Sequence, residues 1–230
     1  SDPSRGLGDV YKRQPFNLEY ISTTLMLDRI KDKTRIINDP TSVRNISEKF
    51  YSLNFKNYMT DTIFTKDLFE IKKFFKKHKK IIIKPIHSYG GNDINLISGK
   101  LSLLKIKQIL KKHGHIMCQK FLNKIKFGDK RVFIINGKVC GAISRVPKSG
   151  SILSNMSKGA KPKIAFLSNK ELKISNIIAK KIKKDGIYFA GIDFIDGKLN
   201  GDINVTSPTG IKTYFDLSQI NLAKTFWKGL

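Results

Sequence analysis

An α+β fold, with strands joined mainly through hairpins and helices set between them, is what this 230-residue sequence predicts. Three observations carry the prediction: helical apolar spacing at 67–78, short β-rich runs bounded by turn residues, and the Asn136-Gly137 hairpin signal between 130–136 and 138–146. From the N-terminal side, Leu18, Ile21, Leu25, Leu27 and Ile30 mark a helix over 17–31, and 35–38 reads as a short strand. A second helix is expected over 42–52, then a strand at 62–65. The helix at 67–78 puts Leu68, Ile71, Phe74 and Phe75 on one face, and 80–85 reads as a buried strand. Strands follow at 94–98, 115–121, 130–136 and 138–146, with a helix at 102–112 between the first two. Residues 147–163, rich in Ser, Gly, Lys and Pro without apolar periodicity, predict a long loop of the length used for lids. A helix at 171–184, strands at 187–195 and 198–205, and a helix at 216–228 complete the reading.

The first residues stand apart. Asp9-Val10-Tyr11-Lys12-Arg13-Gln14 is the translation of a common sequencing-library transposon end, so residues 1–14 are read as a sequencing or cloning scar outside the fold.

Composition excludes several classes. Uninterrupted apolar runs such as Ile81-Ile82-Ile83 fall far short of the roughly 20 residues a membrane span needs, and no secretion signal is visible, so the cytoplasm is the expected compartment. Cys118 and Cys140 lack metal-ligand spacing and are expected to be buried free thiols. A formal charge of +26 draws polyanions, yet only seven of the 44 basic residues are Arg and none follows Arg145. A solvated lysine face is therefore preferred over a nucleic-acid surface, and the positive field would also favour phosphate-bearing small substrates. The four histidines show no metal pattern and are read as surface residues.

Two segments carry chemistry. The strand ending at Lys84 runs through Pro85 into Ser88-Tyr89-Gly90-Gly91, where glycines let successive N–H groups face an anion beside an ammonium. A phosphate site fits; so does an ordinary strand-end turn. Near the C-terminus, Asp202 and Asn204 share one face of a strand, and Asp193 lies on its hairpin partner. These hard oxygens suit magnesium completed by phosphate oxygens and water, although a plain polar hairpin has the same spacing.

Together these segments resemble the bacterial glutathione synthetase family. The most specific stretch is Asp202-Ile203-Asn204-Val205-Thr206-Ser207-Pro208-Thr209, supported by Asn38-Asp39-Pro40, Ser47-Glu48-Lys49, Ile83-Lys84-Pro85 with Gly90-Gly91, Gly128-Asp129-Lys130-Arg131, and Gly191-Ile192-Asp193. The resemblance implies an ATP-grasp fold of two α+β subdomains holding ATP between them. It divides the chain into the end of a preceding N-terminal domain at 15–40, a first subdomain at 41–118, and a second at 119–230 with a lid at 146–162. It implies ATP and Mg2+, with Mn2+ as a substitute, and the substrates γ-glutamylcysteine and glycine, joined through an acyl phosphate to give glutathione. Lys49 and Lys84 would contact phosphates, with Ser88, Gly90, Gly91 and Asp129 beside the nucleotide and Gln119 and Leu122 along the adenine. Arg131, Arg145 and Asn155 would act at the reacting groups, and Asp193, Asp202 and Asn204 would hold the metal.

The sequence departs from the family pattern in three places. Asp202 stands where the family usually has Glu. The lid reads Leu153-Ser154-Asn155 and Lys158-Gly159-Ala160-Lys161 in place of Arg-Gly-Asn and Gly-Gly-Arg-Gly. Only the last helix and strand of the N-terminal domain are represented, so the chain reads as N-terminally truncated, and the full-length enzyme is expected to be a homo-oligomer. The alternatives are another ATP-grasp carboxylate–amine ligase, such as a D-alanine–D-alanine or protein-glutamate ligase, and a basic nucleic-acid-binding protein.

Overall fold

The computed structural model describes residues 16–230, so the scar reading of 1–14 lies outside the described residues. Helix α1 (Leu18–Asp28) starts at Asn17, whose side chain accepts from the Tyr20 N–H at 2.9 Å. Helix α2 (Pro40–Asn45) begins with the ring of Pro40, which has no N–H to leave unpaired, and is capped by Asp39. Ile46 turns extended, so the helix expected over 42–52 is two pieces, α2 and a 3₁₀ segment at Phe50–Tyr58.

The expected strand at 35–38 is absent. Asn38 instead uses its amide as a ladder rung: Nδ2 donates to the carbonyls of Phe189 and Val205, each at 2.8 Å, and Oδ1 accepts from the N–H groups of Tyr188 and Phe189. One side chain thereby satisfies backbone groups that a strand would otherwise pair.

Two antiparallel sheets organise the rest. The smaller contains β1 (Thr62–Thr65), β2 (Lys80–Pro85), β3 (Asn95–Ser98) and β4 (Ile116–Lys120) in the order β1-β4-β2-β3. Helices α3 (Leu68–His78) and α4 (Leu103–His113) cover one of its faces. In α3, Ile71, Phe74 and Phe75 stack at helical spacing and meet Ile81 and Ile83 of β2, while Asp67 caps the start. Alternation along β2 sends Ile81 and Ile83 into this core and leaves Ile82 and Lys84 on the other face.

The larger sheet has the order β7-β6-β5-β8-β9, formed by β5 (Asp129–Ile135), β6 (Lys138–Val146), β7 (Lys161–Ile164), β8 (Phe189–Ile195) and β9 (Lys198–Asn204). Helix α5 (Asn169–Lys184) starts two residues before its expected position because Ser168 and Glu171 form a reciprocal capping box. The largest core cluster joins α5 through Ile174, Ile178 and Ile182 to the sheet, and it also takes in Tyr20, Val43, Ile46, Phe55 and Met59. The segment before β1 thus packs with the larger sheet. The last expected helix, 216–228, is interrupted: α6 (Ile211–Ser218) ends at left-handed Gln219, and Asn221 caps α7 (Leu222–Lys228).

Two smaller expectations change. The His78 side chain is covered, 7% exposed beside Asp61, and His113 is largely covered beside Asp93, whereas His87 and His115 lie on the surface. Cys118 is fully buried as expected, while Cys140 is only half-buried, and neither is bonded to another cysteine. No helix among the described residues is long and apolar enough to cross a membrane.

Candidate functional site

The sheets approach each other where β9 passes β4. Gly201 sits there at φ +75°, and an added Cβ would lie 2.5 Å from Met117 Cε and 3.1 Å from Gln119 Nε2. Glycine is therefore required both by conformation and by space. Beside this contact opens a cleft of about 1010 Å³, part of it open to solvent. That is room for a nucleotide and a second substrate.

All the site residues singled out from sequence line this cleft. Strand alternation explains most of the convergence. Lys84 of β2 and Gln119 of β4 face it from the small sheet, and Asn200, Asp202 and Asn204 face it together from β9. Ser88, Gly90 and Gly91 bring the loop after β2 to one wall, and Leu122 follows β4 at the floor with apolar neighbours Ile82, Ile125 and Ile195. The segment 152–155 from the expected lid closes the opposite side. Asn155 packs against Gly91 so closely that a Cβ there would meet its Oδ1 at 2.5 Å.

Charge is arranged in two groups. In the first, Asp202 lies between two buried lysines, 3.4 Å from Lys49 Nζ and 3.6 Å from Lys84 Nζ. Lys49 also donates to the Ser88 carbonyl at 2.8 Å, and Lys84 donates to the carbonyl of Asn200 at 2.8 Å. Burial works to raise the Asp202 carboxyl, but the Lys49 and Lys84 charges prevail and hold it below the usual carboxylate range. Lys84 is pushed down, chiefly by burial. Behind them Glu48 is raised by burial and accepts from the Thr206 hydroxyl at 2.5 Å.

The second group is a ladder across three strands. Register places Asp129 opposite Arg145 and Arg131 opposite Asp193. Arg145 donates to both Asp129 oxygens, at 2.8 and 2.5 Å, and reaches Asp193 Oδ2 at 2.9 Å. Arg131 grips Asp193 through Nε and Nη2. All four side chains are at most 7% exposed. Burial would raise Asp193, but Arg131 and Arg145 hold its carboxyl far below the usual range. Asp129 goes the other way, raised by burial despite Arg145.

The donor set fits a hard divalent cation in part. Asp202 is 26% exposed toward the cleft and, among the described residues, Asn204 Oδ1 accepts only the Ser207 N–H at 3.1 Å, so both retain lone pairs for a cation. Asp193 already accepts three guanidinium hydrogen bonds and would have to share an oxygen. Among the described residues no cluster of three or more His, Cys, Asp or Glu forms a metal cage. A cation held here needs oxygens from a ligand, as magnesium does when it binds with phosphates.

Sequence reasoning missed Asn200, Ser154 and Glu48. Asn200 carried a signal, since it lies two residues before Asp202 on the same strand face. Ser154 and Glu48 had none, because their contacts come from loop and interlobe packing.

Residues 48–219 match the family described as prokaryotic glutathione synthetase, ATP-grasp domain, and residues 10–44 match its N-terminal domain. The glutathione synthetase of Bradyrhizobium diazoefficiens is 37% identical over 217 residues, covering 93% of this chain and 68% of that protein. That of Buchnera aphidicola subsp. Acyrthosiphon pisum is 38% identical over 205 residues, covering 87% and 64%. Among solved structures, the ATP-grasp ligase PsnB complexed with a phosphomimetic variant of its minimal precursor, Mg and ADP aligns with TM-score 0.68 at 17% identity, covering 90% of this chain and 66% of that one. D-alanyl-alanine synthetase A from Vibrio cholerae aligns with TM-score 0.62 at 15% identity, covering 83% and 64%. The structural likenesses establish the ATP-grasp fold. The chain spans 64–69% of the length of the curated relatives it matches.

Proposed function

The chain belongs to the prokaryotic glutathione synthetase family, ATP-dependent carboxylate–amine ligases that make glutathione, and from that premise we propose residue roles in this cleft. Mg·ATP enters with its phosphates toward Lys49, Lys84 and the Ser88–Gly91 loop, and with its adenine against Gln119, Leu122, Ile82 and Ile195. The observation that carries this reading is the shared hold of Lys49 and Lys84 on Asp202. Two buried ammonium groups converge on one carboxylate, so the lysines could turn to an arriving phosphate and Asp202 would then be left to hold a metal, with no charge unpaired.

Magnesium, or manganese in its place, would supply neutralisation of the phosphoryl oxygens, held by Asp202 and Asn204 with Asp193 sharing an oxygen. The γ-phosphoryl group passes from ATP to the cysteinyl carboxylate of γ-glutamylcysteine, giving an acyl phosphate and ADP. The glycine amine then attacks the acyl carbon, phosphate departs with the C–O bonding pair, and the attacking nitrogen loses its proton. Such a reaction asks for positioning and charge stabilisation more than for a protein nucleophile. Arg131 and Arg145 supply fixed positive charge there, Asp129 holds Arg145 in place, and Asn155 with the rest of 146–162 excludes water. Unpaired Cys118 and Cys140 suit a reducing compartment, and the reaction is assigned to the cytoplasm.

ADP release is the direct test. It should require γ-glutamylcysteine and glycine together, and alanine or glutamate should not replace glycine. Release supported equally by D-alanine alone, or nucleic-acid binding that is steeply salt-dependent and indifferent to Lys84, would favour the alternatives.

A further inference from the structure

The coil at 147–160 makes few long-range hydrogen bonds. Ser151 N–H to Lys148, Leu153 N–H to Ser151 Oγ, and Lys158 and Ala160 N–H to Asn155 are all local turns. Thr213 reaches Met156 Sδ at a long 3.7 Å. Against these, Ser154 Oγ donates to Asp129 Oδ2 at 2.5 Å, with Ser154 only 8% exposed. That oxygen also receives Arg145 Nη2, which goes on to Asp193. A lid hydroxyl is therefore joined directly to the buried charge ladder. A bond to a charged acceptor is among the stronger hydrogen bonds available to a loop.

We propose that Ser154 is a lid latch, a positioning residue that holds the closed lid on Asp129 and through it keeps Arg145 aimed into the cleft. Closure of the lid and orientation of the arginine then become one event. With the lid open, Asp129 loses a donor and its hold on Arg145 is less constrained. With it closed, Ser154, Asp129, Arg145 and Asp193 form a continuous chain. The reading of the cleft as a ligase site gives the latch its purpose, and the proposal rests on that reading for function though not for the contact itself.

The test uses trypsin on the full chain, because Lys148 and Lys158 flank the latch within the lid. Cleavage rates at these two sites are compared with those at lysines of α3 for the parent, Ser154→Ala and Ser154→Thr, alongside circular dichroism and calorimetric Mg·ATP binding. Ser154→Ala should be cut roughly tenfold faster in the lid alone, the size expected for losing one hydrogen bond to a carboxylate. Ser154→Thr, which keeps the hydroxyl, should restore the parent rate. Equal lid cleavage in parent and Ser154→Ala would overturn the latch while leaving Mg·ATP binding, and so the ligase reading, intact. Faster lid cleavage in a chain that binds no Mg·ATP would support the latch and count against the ligase reading. Acceleration at every lysine, lid and α3 alike, would mean general loosening and would also overturn the latch.

Discussion

The two charge groups in the cleft are built from the same chemistry and held very differently. In the arginine ladder every carboxylate oxygen meets a guanidinium in fork geometry, across directly opposed strand positions, and the side chains are buried. In the lysine group, Asp202 is 26% exposed and sits 3.4–3.6 Å from two single-point cations that are also held by backbone carbonyls. The ladder is saturated and serves as scaffold. The lysine group is arranged to change partners. Rigid planar forks suit the first task and compact ammonium groups on flexible stems suit the second.

Breaking the ladder should have the largest effect. Asp193→Ala leaves Arg131 and Arg145 buried with an unmatched charge and should cost about 3–5 kcal/mol, read as a lowered midpoint of chemical denaturation. Asp202→Ala should cost less, measured the same way, because Lys49 and Lys84 keep the carbonyls of Ser88 and Asn200 as acceptors, while magnesium-dependent nucleotide binding falls at least 10–100-fold, as for loss of a residue that orders a metal site. If Asp202→Ala proved as destabilising as Asp193→Ala, the contrast between the groups would collapse. Lys84→Met should weaken Mg·ATP by about tenfold in calorimetry with little change in stability, since burial already disfavours its charge.

Acid acts on both groups. Asp193 and Asp202 both have folded values below the unfolded aspartate value of about 3.9, so each contributes stability that is complete above that pH and lost as pH falls through its own lower folded value. Asp129, raised by burial, opposes this: its ionisation costs stability that is regained as pH falls. Denaturation midpoints of Asp202→Asn and parent, and of Asp193→Asn and parent, should therefore each differ above about pH 4 and converge as pH falls below it.

Much of the fold and of the site was legible in the sequence because strand alternation is a short-range rule. Lys84, Asp202 and Asn204 could be placed on faces from neighbours one and two positions away, and the helix at 67–78 announced itself through Ile71, Phe74 and Phe75. The Asn136-Gly137 turn announced the pairing of β5 with β6 but not its register: an irregularity at Phe133/Ile134 shifts the ladder by one, so that Asp129 meets Arg145 where the turn alone would set Ser144 opposite. Nor does anything local say that Asp193 is gripped by two arginines. The misplaced elements failed for local reasons with distant causes. Residues 35–38 look like a strand, but Asn38 pairs through its side chain with β8 and the Val205 carbonyl. Gln219 and Asn221 interrupt an otherwise helical pattern with a left-handed turn and a cap. The lid was expected to be loop throughout, yet Lys161–Ile164 joins the sheet edge because β6 has a free side there.

The most direct test of the central claim is Mg·ATP binding by calorimetry to the parent chain and to Asp202→Asn, with and without magnesium. The account predicts binding that requires magnesium in the parent and is lost with the Asn variant, both chains being equally folded by circular dichroism. Nucleotide binding of equal strength in the two chains, or indifferent to magnesium, would contradict it.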